Sequence, residues 1–331
     1  MIEIKGDFQM NKAILIATLA IVFVAGCTQA NLTTIFQQTT NTVVAGAGMI
    51  MSDFSVDQTD VYGGQTDRIM MTVDNMGGYS VPDSASLVYL TGSAVSLSGD
   101  NKMYWTGSTE TLIKKFGREM KPADPIRDTP ADEKTISWSL QAPNVSKGQQ
   151  TTYLFIGRVY YDYETNVNGN IWVYSQTEAD AAKAAGKTLN KATWSATSGP
   201  VAINAKVSQD PVVLYSGENT ITLIIKVSSV GGGVLYQQGA IDYSTTDPNN
   251  LALTEDQINR VLISGNVAGT PLPSDCTNGG LPVELIGGKA ATLTCDVTIT
   301  PPATFQGYPI TITADYGYFN ERTASVTVSG R

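Results

Sequence analysis

Arg68-Ile69-Met70-Met71-Thr72-Val73-Asp74-Asn75-Met76-Gly77-Gly78 is the stretch on which the fold is decided. Ile69, Met71 and Val73 recur at period two, which describes a strand with one apolar face. The glycine pair that follows tolerates backbone conformations closed to other residues, so it ends the strand. Asp60-Val61-Tyr62-Gly63-Gly64-Gln65, just upstream, reads as a turn. Nearly the same phrase returns later: Val213-Leu214-Tyr215-Ser216-Gly217-Glu218, then Thr220 to Val230, then Gly231-Gly232. Tyr-x-Gly, the strand and the Gly-Gly stop align with a single-residue insertion.

A second echo extends the first. Thr135 to Gln141 followed by Ala142-Pro143 is matched by Leu293 to Thr300 followed by Pro301-Pro302. Val159-Tyr160-Tyr161-Asp162-Tyr163 is matched by Ala314-Asp315-Tyr316-Gly317-Tyr318. Four landmarks in one order indicate a tandem duplication. The expected organisation is a first domain over 49–200, carrying insertions at 99–134 and 176–197, and a second over 201–331, with a boundary near Ser198-Gly199-Pro200.

Composition agrees with an all-β reading. Only 15% of the 331 residues are charged, while Thr, Ser, Gly, Asn, Val and Tyr are plentiful, as in short strands joined by polar turns. There are 21 basic against 30 acidic residues and no basic block, which argues against nucleic acid and against an anionic membrane surface. The absence of histidine removes Ser-His-Asp and Cys-His catalysis and the commonest zinc and iron ligand sets.

Upstream of the repeats, Met10 to Cys27 places Lys12 before an apolar run from Ala13 to Ala25 and ends in Val24-Ala25-Gly26-Cys27. A positive flank, a core short for a bilayer span and a small-residue exit describe a secretory signal. The ending resembles the lipobox of secreted lipoproteins, which implies cleavage before Cys27 and a lipid on that cysteine. Residues 1–27 are thus expected to be a signal segment with a hydrophobic helix, and 28–48 a flexible stalk. The other two cysteines, Cys276 and Cys295, make an even remainder in an exported chain and are expected to pair. Asn31-Leu32-Thr33 and Asn144-Val145-Ser146 are glycosylation sequons.

The pattern of Phe-x-x-Asp, Val-Tyr-x-Gly-Gln, strand, Asn-x-Gly and a closing Tyr-x-Tyr strand resembles the immunoglobulin-like modules related to the bacterial cell-adhesion domain, found in archaeal and bacterial surface lipoproteins and S-layer-associated proteins. The resemblance covers both repeats. It implies two tandem immunoglobulin-like β-sandwiches with short helical insertions, displayed on the outer face of the cell membrane, and it transfers no catalytic residues.

The insertions are expected to contain helices over Thr109 to Phe116, over Gln176 to Lys187 with Thr177 as cap, and over Thr254 to Leu262 capped by Thr254. Asp124, Asp128, Asp132 and Glu133 are oxygen ligands of the kind calcium takes, but calcium-loop spacing is missing and basic residues intervene, so a solvated loop is expected and no metal. Tyr160, Tyr161, Tyr163, Trp172 and Tyr174 fall on an expected hairpin, with Tyr153, Phe155, Val159, Tyr161 and Tyr163 on its core face and Tyr160, Trp172 and Tyr174 free to face outward. Carboxylate pairs could act on glycosides without histidine, but no nucleophile, phosphate-loop or redox motif is present, and neither an enzyme nor a cofactor is expected.

The expected role is a non-enzymatic, membrane-anchored extracellular lipoprotein serving envelope structure, adhesion or partner binding, with envelope proteins or glycans as partners. One rival is a pilus-like filament subunit processed after Lys5-Gly6 and retaining its helix. Another is a glycan- or solute-binding module using outward-facing Trp105, Trp172 or Trp194.

Overall fold

The computed structural model describes residues 46–94, 105 and 111–331. The signal segment with Cys27 and Lys5-Gly6, and the Asn31 sequon, lie outside the described residues.

The deciding stretch is a strand. In the first repeat β1 (Met49–Val56), β2 (Asp60–Tyr62), β3 (Thr66–Asn75), β4 (Ser86–Thr91), β5 (Ile113–Lys114), β6 (Glu133–Gln141) and the long β7 (Gln150–Ser175) follow in order. Helix α1 (Gln176–Ala184) and β8 (Thr193–Ala196) lead to the second repeat. There the order is β9 (Val201–Val207), β10 (Val212–Leu214), β11 (Thr220–Ser229), β12 (Val234–Tyr236), β13 (Arg260–Val267), β14 (Thr270–Pro271), β15 (Val283–Glu284), β16 (Ala290–Thr298) and β17 (Phe305–Ser329).

Each repeat builds one three-stranded antiparallel sheet, β1-β3-β6 and β9-β11-β16, with the deciding strand or its echo at the centre. Along β3 every second residue is buried, Ile69, Met71 and Val73 at 0% exposure. Both small sheets pack on the same face of an eleven-stranded sheet, giving a layered, sandwich-like β architecture.

The spine of the large sheet is a single ladder. The 25 residues of β17 pair antiparallel with β7 from Phe305↔Tyr174 to Ser329↔Gln150. At ~3.3 Å per residue this ladder runs roughly 80 Å. The closing strand of each repeat thereby serves both halves. One end of the ladder is flanked by β4 beside β7 and by β2, which pairs parallel with Thr327–Ser329 of β17. The other end is flanked by β13 beside β17 and by β10, which pairs parallel with Val173–Ser175 of β7.

The structure corrects four expectations. The hairpin expected between Tyr163 and Trp172 is one uninterrupted strand, because Asn166-Val167-Asn168-Gly169-Asn170 has partners on both sides, β17 and β8, and needs no turn. Over residues 111–116 the chain is extended instead of helical, since Ile113 is buried and pairs with Tyr89. Thr254 does open a capping box with Gln257, but only a 3-10 turn, Glu255–Gln257, follows. Asn259 then takes φ 59° and β13 begins at Arg260. Helix α1 is capped by Ser175, whose hydroxyl accepts from the Glu178 N–H, in place of Thr177.

The repeated motifs meet physically. The Tyr163 hydroxyl accepts from the N–H groups of Gly78 and Tyr79 at 2.8 and 3.1 Å and donates to the Ser198 carbonyl at 3.2 Å. Tyr318 holds the Gly233 N–H in the second repeat. A side chain at Gly77 or Gly231 would collide with those hydroxyls, so the glycine stop and the Tyr-x-Tyr strand each require the other.

Candidate functional site

The inner face of the β7–β17 ladder is core. Phe155, Val159, Tyr161 and Tyr163 of β7 and Tyr316 and Tyr318 of β17 are all at most 2% exposed. Tyr161 donates to the Met49 carbonyl at 3.0 Å, and Tyr316 accepts from the Val201 N–H at 3.2 Å while sharing a proton with Thr165 at 2.8 Å. The outer face divides into a covered zone and an open one.

The covered zone lies beneath residues 237–254, between β12 and β13. Ile241, Tyr243 and Leu251 of that segment pack with Leu87, Tyr89, Ile113, Tyr160 and Tyr236 in a second, smaller core. Tyr160, expected to face outward, is therefore buried at 2% exposure. Tyr243 donates its only hydroxyl proton to Asp162 at 2.7 Å, so the 2.8 Å contact between the Tyr236 and Tyr243 hydroxyls runs from Tyr236 to Tyr243. Burial pushes the Asp162 carboxyl up to about 6, helped by the charge of Asp315 and opposed by the hydrogen bonds from Tyr243 and the Gly239 N–H. Lys115 closes this zone from the first repeat. Its amine donates to the carbonyls of Asp83 and Ser86 at 3.0 and 2.7 Å and stands 5.7 Å from the Tyr243 ring centre. Burial lowers its pKa, and Asp83 and Asp242 act the other way.

The open zone continues along the same face. Alternate residues of β7, from Glu164 through Asn166, Asn168 and Asn170 to Trp172, stand opposite Asp315, Thr313, Thr311, Pro309 and Gly307 of β17. The Thr313 hydroxyl donates to Asn166 Oδ1 at 2.7 Å and the Thr311 hydroxyl to Asn168 Oδ1 at 3.0 Å. Ser264 and Asn266 of β13 and Ser195 and Thr193 of β8 extend the rows on either side. At the far end Phe305, 50% exposed, has its ring centre 6.2 Å from that of Trp172 and 5.7 Å from that of Tyr174, and Tyr174, expected to face outward, is buried at 4% exposure with its hydroxyl accepting from the Asn190 N–H. At the near end Glu164 and Asp315 face each other across the strands; burial, and then the Glu164 charge, raise the Asp315 pKa.

Other residues singled out in the sequence lie apart from this face. Cys276 and Cys295 form a disulfide with a Cα–Cα distance of 5.2 Å, joining the one-turn helix Ser274–Thr277 to β16. Asn144 is exposed in the loop between β6 and β7. Asp124 accepts from the N–H groups of Ile126 and Arg127, and Asp132 accepts from Lys121 N–H and pairs with Arg118 at 3.5 Å. Among the described residues, no group of three or more His, Cys, Asp or Glu is placed to hold a metal ion. The tryptophans separate: Trp105 is fully buried, edge-on to Phe155 and Tyr153, whereas Trp172 and Trp194 are half-buried. Sequence reasoning missed the Asn–Thr rows because Asn-x-Asn-Gly-Asn carries the residues of a turn. The signal that could have found them is their strict alternation with Thr165, Val167 and Gly169.

No family model and no curated protein matches the chain. Among solved structures the chain has a distant likeness to red sea bream transglutaminase, at 10% identity and a TM-score of 0.18, covering 84% of this chain and 31% of that one. A second is to the Enterococcus faecalis MSCRAMM ACE, a protein described as binding its ligands by the collagen hug model, at 8% identity and a TM-score of 0.13, covering 85% of this chain and 95% of that one. Overlaps of this size carry neither fold nor function from those proteins to this one.

Proposed function

We propose that this protein is a non-enzymatic lipoprotein of the extracellular membrane face, anchored through Cys27, whose two immunoglobulin-like halves present binding surfaces to envelope partners. The observation that carries the reading is the Cys276–Cys295 bond, taken with a Met10–Cys27 stretch that reads as an export signal. Disulfides persist outside the reducing cytoplasm and are rare within it. The shared ladder supports the same role. A displayed module has to keep its shape against shear, and every residue of β17 stands opposite a residue of β7, the closing strand of the other repeat.

The test is the state of the mature N-terminus together with fractionation. Mass spectrometry is expected to find Cys27 as the first residue, bearing lipid, in the membrane fraction, and Cys27→Ser to release the chain from that fraction. An intact helix beginning at Asp7 would favour the filament subunit, and an unprocessed chain in the cytoplasm would remove the proposal.

A further inference from the structure

We infer that the open zone of the outer face is a binding platform for a neutral, linear polysaccharide lying across β13, β17, β7 and β8. This names a partner for the displayed module and rests on the proposed function for its setting, although the binding itself is a property of the purified chain.

Hydrogen-bonding chemistry is the first argument. Thr311 and Thr313 have committed their protons to Asn168 and Asn166, which fixes their side chains and leaves the hydroxyl lone pairs to receive a donor from outside. Asn168 is exposed, with its amide donors on the same surface. A sugar hydroxyl both donates and accepts, so a chain of sugars satisfies alternating acceptors and donors along such rows, whereas an apolar partner would strand them. Because the Thr–Asn bonds already exist in the free protein, little side-chain freedom is lost on binding.

Charge is the second. No Lys or Arg stands in the rows Glu164–Trp172, Phe305–Asp315, Leu262–Asn266 or Thr193–Ser195. Arg260, two residues before Leu262, is already paired with Glu284 at 3.0 Å. The charged residues within the rows are Glu164 and Asp315, which repel an anionic polymer and can accept from hydroxyl groups, while Lys191, exposed two residues before Thr193, flanks the β8 end. That selects an uncharged glycan over nucleic acid, anionic lipid or acidic polysaccharide. The third argument is the Trp172–Phe305 end, where exposed ring surface is offered to the apolar faces of sugar rings.

The test is retention of the detergent-solubilised full chain on insoluble β-1,4-glucan, β-1,4-mannan and amylose, with polygalacturonate as the anionic control. Retention is expected on at least one neutral polymer and absent on polygalacturonate. Thr311→Val, which keeps the branched shape and removes the hydroxyl, and Trp172→Ala should each weaken retention at least tenfold. Trp172→Tyr should restore most of it, and Ile286→Ala, at an exposed site on another element, should leave it unchanged. The inference is overturned by no retention on any of the three neutral polymers, by retention that Thr311→Val and Trp172→Ala do not alter, or by equal retention on polygalacturonate. Fractionation reads the membrane location separately, so failure of one leaves the other standing.

Discussion

Asp162 couples the two halves of the molecule through a proton. Its carboxyl sits on β7, the tyrosine that donates to it comes from the segment after β12, and the lysine beside that tyrosine belongs to the first repeat. Burial holds the group protonated up to about pH 6, against ~3.9 for an unfolded aspartate. The folded state therefore binds more protons than the unfolded state between those values, and stability falls as pH rises from about 4 to about 6. Two pK units at 1.36 kcal/mol each put the loss on the order of 2–3 kcal/mol. Asp162→Asn keeps an acceptor for Tyr243 and removes the titration. Denaturant unfolding at pH 4 and pH 8 should show the variant losing less stability across that interval than the parent, by roughly this amount. Asp67, Asp74 and Asp315 shift in the same direction, so the parent's slope will exceed the Asp162 contribution, and only the difference between the two proteins measures it. If both lose stability in parallel, burial does not raise the Asp162 carboxyl to about 6.

At the level of elements, the disulfide pins a helix of a single turn. Ser274–Thr277 makes too few bonds to persist alone, and its Cys276 is fully buried against β16 through Cys295. With a sequence separation of 19, loop closure gives about 3 kcal/mol in the chain-entropy picture. Cys276→Ser with Cys295→Ser should lower unfolding stability by about that much, with exchange protection lost first in residues 268–286. How readable each element is follows the source of its stability. The pairing partner of Cys276 was legible because, with Cys27 set aside as the expected lipid site, Cys295 is the one cysteine left. The β3 and β11 strands were legible because their alternation is a local signal of one buried face. Residues 254–262 misled because the capping box at Thr254 is also local, but it competes with Val261 and Ile263, which are buried in β13 beside β17. Ile113 misled for the same reason: its partner, Tyr89, is distant in sequence.

Across the whole molecule, the repeats recorded in the sequence are not independent mechanical units. The echo between the two halves was visible in four landmarks, but the shared ladder of closing strands was hidden in Asn166–Asn170. Those residues resemble a turn only until Thr311 and Thr313 stand beside them. A chain ending at residue 200 loses β17 along the whole of β7, and between Glu164 and Ser175 keeps only β8, paired with Val167–Asn170 on the other edge. It also loses Tyr236, Ile241, Tyr243 and Leu251, which cover Tyr160 and Leu87. An exposed edge of that length invites pairing with other chains. The full chain is therefore expected to unfold in one cooperative transition, with the calorimetric enthalpy equal to the van't Hoff enthalpy. Residues 49–200 expressed alone should aggregate or lack dispersed amide resonances, and mixing them with residues 201–331 should restore a soluble complex by re-forming the β7–β17 ladder. Two separate transitions in the full chain, or a stable monomer of 49–200 with protected amides in Glu164–Ser175, would mean that the ladder is an addition to two self-sufficient halves and not the bond on which both depend.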